Sequence, residues 1–112
     1  MDADLGELIT LPDVADRMEV PVSQVRQRIK DGQLLAVRVE GVLHVPVALL
    51  AGSDVIKGLP GLITVLRDAH YSDDEALGWM FTPDDSLPGR PVDALAENRG
   101  TEVKRRAQAL LL

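Results

Sequence analysis

The sequence predicts a mostly α fold with one small β-hairpin, followed by a small helical C-terminal unit. Three observations carry that prediction. Apolar residues recur at helical spacing in two short runs before Gly32. Two valine-rich runs then flank Glu40-Gly41. Beyond Ser53 helical patterning returns, punctuated by prolines and a capping motif.

Thr10-Leu11-Pro12-Asp13 opens the first helix: Thr10 suits the N-cap, and Pro12 sits where a missing N–H costs nothing. Leu11, Val14, Ala15 and Met18 form its apolar stripe. Glu19-Val20-Pro21 interrupts it, because proline disfavours helical geometry in the residue before it. A second helix, 22–31, turns Val22, Val25 and Ile29 inward and ends at Asp31-Gly32, glycine being suited to a left-handed cap. Residues 36–39 and 42–45 are strands, joined by Glu40-Gly41 as a two-residue turn and stopped by Pro46. Val47-Ala48-Leu49-Leu50 adds a helical turn. Helix, turn, helix, hairpin is the order of a winged helix-turn-helix.

The small, polar stretch from Ala51 reads as a linker. Leu62, Val65, Leu66 and Ala69 then stripe a third helix. Ser72-Asp73-Asp74-Glu75 is a capping box that opens a fourth, running through Ala76, Leu77, Met80 and Phe81. Trp79 and Phe81 read as core filler, since aromatics bury large areas. A proline-marked loop spans 82–91, with a turn at Asp84-Asp85, and a short helix covers 92–95. Gly100-Thr101 starts the last helix, with Val103, Ala107, Leu110 and Leu111 inward. The expected division is a winged helix-turn-helix at 8–50, a linker at 51–56 and a helical domain at 57–112.

Composition narrows the function. At 112 residues, 46% apolar and 27% charged, the chain matches an ordinary folded domain. The absence of cysteine excludes disulfides, thiolate metal sites and thiol nucleophiles. The N-terminus is acidic where a secretory signal is basic and then apolar, and no apolar run approaches a bilayer span of roughly 20 residues. A cytoplasmic location, with no membrane partner, is the expectation. His44 and His70 lie on different elements and lack a third ligand at metal-site spacing. The acidic clusters are explained by a helix start and a turn. No phosphate-cradling glycine motif, nucleophile elbow or dinucleotide fingerprint is present. No enzyme activity, catalytic residue, cofactor or metal is expected.

The second helix carries the informative chemistry. Opposite Val22, Val25 and Ile29 it presents Ser23, Gln24, Arg26, Gln27 and Lys30. Arginine pairs with guanine edges, glutamine with adenine, and lysine or serine with phosphate. A recognition helix reads mainly from its N-terminal part, so Ser23, Gln24, Arg26 and Gln27 are the base-edge candidates. Arg28 and Lys30 are assigned to phosphate, and Arg38 on the first wing strand to the backbone. A solvated amphipathic helix would show the same outward face; the element order favours duplex DNA. Arg38 could instead pair with Glu40.

The net charge of −6 is a sum over unlike parts. Arg26, Arg28, Lys30 and Arg38 against Asp31 leave residues 22–39 at +3 and the remainder at −9. Widening the window to 17–40 lowers the local sum to +2. A small basic face on an acidic body predicts limited, salt-sensitive DNA binding.

Ile9-Thr10, Val14-Ala15, Val20-Pro21, Val25, Gly32-Gln33-Leu34, Val37-Arg38-Val39 and Val45-Pro46 together resemble the excisionase/MerR-like winged helix-turn-helix. Glu19 stands where that pattern has a turn glycine, and the wing lacks its basic tip. Across its whole length the chain looks like a small actinobacterial group of winged-helix DNA-binding proteins with an added helical domain. The strings AVRV (36–39), KGLPGLITVL (57–66), WMFTPDDSL (79–87), RPVDAL (90–95) and VKRRAQA (103–109) carry that resemblance. Trp79-Met80, Thr82-Pro83, Leu87, Gly89-Arg90-Pro91, Leu95, Gly100 and Val103 are similar to the toxin-binding domain of Xre/ParS/MbcA antitoxins, with the proline one position early.

Element order and the outward face of the second helix point to a transcriptional regulator, and the antitoxin resemblance implies a C-terminal domain that contacts a partner protein or a second copy. The alternative is an antitoxin-like interaction module in which DNA binding is secondary. Thr10, beside the acidic N-terminal segment, is a possible phosphorylation site, where added charge would oppose DNA.

Overall fold

Helix α1 (Leu11–Met18) follows directly from a three-residue strand, β1 (Leu8–Thr10). The chain then runs through α2 (Val22–Lys30), β2 (Val37–Val39), β3 (Val42–Pro46), β4 (Leu50–Ala51), β5 (Asp54–Val55), α3 (Leu59–Asp68), α4 (Asp73–Phe81), α5 (Pro91–Ala96) and α6 (Gly100–Gln108). Single 3₁₀ turns occupy Val47–Leu49 and Ala109–Leu111. The computed structural model describes residues 4–84 and 89–111. The Asp84-Asp85 turn and Leu87 therefore extend outside the described residues.

Sheet order is β1-β3-β2, both pairs antiparallel. Val39 faces Val42, so Glu40-Gly41 is the whole turn. Both of its residues have positive φ, +51° and +81°, the conformation of a type I′ hairpin. Strand β1 was not expected from the sequence. Leu8–Thr10 is too short to show alternation, and it is held by pairing with Pro46, Val45 and His44. Thr10 thereby ends a strand and begins a helix, and its side chain makes no capping hydrogen bond.

The core is one cluster that includes Ile9, Val14, Val25, Leu34, Leu35 and Leu49 from the first half and Leu62, Leu66, Leu77, Met80, Leu95 and Val103 from the second. The α1 stripe of Leu11, Val14, Ala15 and Met18 is buried as expected. In α2 only Val25 is fully buried, with Val22 and Ile29 packed half-exposed against the cluster. The stretch expected as a linker, 51–56, contributes to a tight β4–β5 hairpin, followed by the buried Ile56.

Four helices end alike. At α1, α2, α3 and α5 a residue with positive φ follows the last turn: Glu19, Gly32, His70 and Asn98. At each the next N–H donates back to a carbonyl five residues earlier, as Gln33 does to Arg28 at 2.9 Å. This is the Schellman arrangement, which satisfies carbonyls otherwise left open.

Two expectations in the C-terminal half fail. Leu110 and Leu111, expected inward, are 37% and 50% exposed because α6 gives way to a 3₁₀ turn before them. Trp79, expected in the core beside Phe81, is only partly buried, while Phe81 is enclosed. Two positions along a helix are about 200° of rotation, so both rings cannot face the same side.

Candidate nucleic-acid interface

Pro21 leads into α2 from an extended conformation, and the fully buried Val25 anchors the helix against the core. Ser23, Gln24, Arg26, Gln27 and Lys30 are all exposed. Gln27 Nε2 donates to Asp31 Oδ1 at 2.9 Å, holding that amide along the helix. Arg26, Lys30 and Arg38 form no ion pair among the described residues.

The wing brings a second cation to the same place. Arg38, exposed on β2, donates from Nη1 to the Gly41 carbonyl at 3.1 Å, bracing the turn instead of pairing with Glu40. Arg26 and Arg38 line one hollow of about 290 Å³, with Thr10, Pro12 and Val42 among its walls. No carboxylate lines it among the described residues. Val39 and Val42 are 39% and 52% exposed, so the wing tip is apolar apart from Glu40.

Arg28 is placed differently. It is half-buried on the far flank of α2, and its Nη1 lies 3.4 Å from Asp54 on β5. Asp73 and Asp74 at the start of α4 share a second hollow with Arg38 and Leu43, which also line the first. Asp73 is engaged by Arg67 at 3.1 Å. These acidic neighbours came from residues distant in sequence, and no local signal marked them.

His44 Nδ1 lies 2.9 Å from the Val42 carbonyl. Among the described residues no three His, Cys, Asp or Glu side chains are grouped to hold a metal ion. No described helix is long and apolar enough to cross a membrane.

Comparison with known proteins agrees with this architecture. Residues 1–50 match the description "DNA-binding protein Rv2175c, wHTH domain", and residues 56–111 match "Rv2175c C-terminal domain of unknown function". The DNA-binding protein Rv2175c of Mycobacterium tuberculosis (strain ATCC 25618 / H37Rv) is 44% identical over 113 residues, covering 89% of this chain and 77% of that protein. The chain belongs to the Rv2175c family.

An NMR structure of Rv2175c superposes with a TM-score of 0.88 at 42% identity, covering all of this chain and 85% of that one. The fold is therefore that of the Rv2175c family: a winged helix-turn-helix with a helical C-terminal unit. Residues 51–55, between the two matched regions, lie within β4, β5 and their turn.

Proposed function

We propose that this chain binds duplex DNA as a transcriptional regulator, with α2 in the major groove and the β2–β3 wing on the backbone. The observation that carries the reading is the hollow shared by Arg26 and Arg38, free of carboxylates among the described residues. Ser23, Gln24, Arg26 and Gln27 contact base edges in this reading; Lys30 and Arg38 contact phosphate. Arg28 has a weaker claim on phosphate because Asp54 already neutralises part of its charge. The N-terminal unit acts in the manner of excisionase/MerR-like domains, in the cytoplasm and without catalysis. The domain division at 8–50 and 57–112 is part of the same proposal.

The C-terminal unit supplies contacts to a protein, as its antitoxin-like resemblance implies, with DNA binding the primary activity. Thr10 is the proposed modification point. Its hydroxyl is not used in capping, and it lines the hollow with Arg26 and Arg38. A phosphate there would add about −1.5 to −2 charge at pH 7, opposing DNA.

A salt-dependent anisotropy titration with labelled duplex tests the central claim. The double substitution Arg26→Ala, Arg38→Ala is expected to abolish most affinity and flatten the salt dependence. Unchanged affinity would show that this face is not the interface.

A further inference from the structure

Helix α4 carries a glycine in mid-helix beside the one tryptophan of the chain. Packing does not require Gly78: a Cβ there would meet nothing within 4 Å among the described residues, and its φ is not positive. Glycine in a helix interior destabilises it relative to alanine. Its effect here is to open a groove of about 540 Å³ beside the half-buried Trp79. Tyr71, Pro83 and Pro91 complete the apolar lining, and Glu75 supplies a carboxylate.

The groove has the wrong sign for DNA and a fitting one for a cation. Among the described residues no lysine or arginine lines it. The adjacent Arg90 is engaged elsewhere, donating to both carboxylate oxygens of Asp93 at 2.9 and 3.0 Å and stacking 5.3 Å from the Phe81 ring centre. Glu75 stays ionised, its carboxyl held below the usual range by the Ser72 backbone N–H and then the Ser72 hydroxyl of the capping box. Aromatic faces attract ammonium and guanidinium groups, and grooves lined by aromatics receive extended segments.

We propose that the Trp79 groove binds an extended, arginine- or lysine-bearing segment of a protein partner. This rests on the partner-binding reading of the C-terminal unit and is independent of the DNA interface.

Trp79 is its own reporter. The full chain is titrated with a ten-residue peptide of alternating arginine and proline, and with a control peptide carrying glutamate for arginine. Tryptophan emission and calorimetry are followed together. A saturable emission change is expected with the arginine peptide alone. Affinity should fall about tenfold or more in Trp79→Ala and in Gly78→Leu, while DNA affinity stays within about twofold of the parent. Gly78→Leu places a better helix former in open space, so its melting temperature should not fall.

Equal binding of the glutamate peptide, or unchanged affinity in both variants, would overturn the proposal. Emission that shifts with protein concentration alone would replace the basic segment by a second copy, leaving partner binding intact. Emission unresponsive to peptide and to concentration would overturn both.

Discussion

Arg28 Nη1 lies 3.4 Å from Asp54 Oδ1, on the opposite flank of α2 from Arg26. The two arginines are separated by a single residue, yet only Arg26 shares a hollow with the wing. Arg26→Ala and Arg38→Ala are each expected to weaken duplex binding and to lower the salt slope by about one. Arg28→Ala is expected to have a smaller effect on both. Anisotropy titrations at three salt concentrations separate the cases, and equal losses would refute the distinction.

Thr10→Glu tests the modification point. The hydroxyl makes no capping bond, so its loss should leave the melting temperature nearly unchanged. The new carboxylate would stand beside the Arg26–Arg38 hollow, and DNA affinity is expected to fall several-fold. Binding as tight as that of the parent would remove Thr10 from the regulatory picture.

The end of α1 predicts a gain in stability. Glu19 holds φ +56° and ψ +43°, the left-handed conformation that glycine occupies at the end of α2. A side chain in that conformation costs roughly 1–2 kcal/mol, partly offset by glycine's larger entropy loss on folding. Glu19→Gly is expected to raise unfolding free energy by about 0.5–1 kcal/mol in urea melts. A decrease would mean that the Glu19 side chain makes a stabilising interaction.

Acid should weaken the C-terminal unit through Asp93. Its hydrogen bonds to Arg90 hold the carboxyl below the ordinary aspartate value. A lowered folded pKa means stability that is present above the unfolded value of about 3.9 and lost as pH falls through the lower folded value. Asp93→Asn should therefore be less stable than the parent at neutral pH. The two should converge as pH falls through the lowered folded value of Asp93, as followed by thermal melts across pH. A constant difference would assign the effect to something other than this charge.

Local signals were legible wherever the chemistry was local. The capping box forms with both of its hydrogen bonds, Glu75 N–H to the Ser72 hydroxyl at 3.1 Å and Ser72 N–H to Glu75 Oε1 at 2.9 Å. Glu40-Gly41 is the hairpin turn, because its positive φ values suit glycine and cost only one side chain. The winged order followed from these punctuation marks. What escaped was set by distant partners. Strand β1 exists only through β3, and the β4–β5 strands are two residues each, too short for any periodicity. Arg28 looked like its neighbours until Asp54, far along the chain, claimed it. Trp79 and Phe81 could not be assigned to inside and outside by type, since both are aromatic; only the helix phase separates them.

Gly32 lies just beyond α2, and a Cβ there would come 2.7 Å from Arg67 Nη1 and 3.8 Å from Ile63 Cγ2, so side chains of α3 abut the end of the reading helix. The shared core locks that junction. The Trp79 groove consequently keeps one bearing around the axis of any duplex that α2 holds. A protein docked there would be presented to a single side of the DNA, and a site of its own on the same duplex would have to lie in phase. Inserting half a helical turn, about 5 base pairs, between the two sites should uncouple them, and a full turn of about 10.5 should restore them.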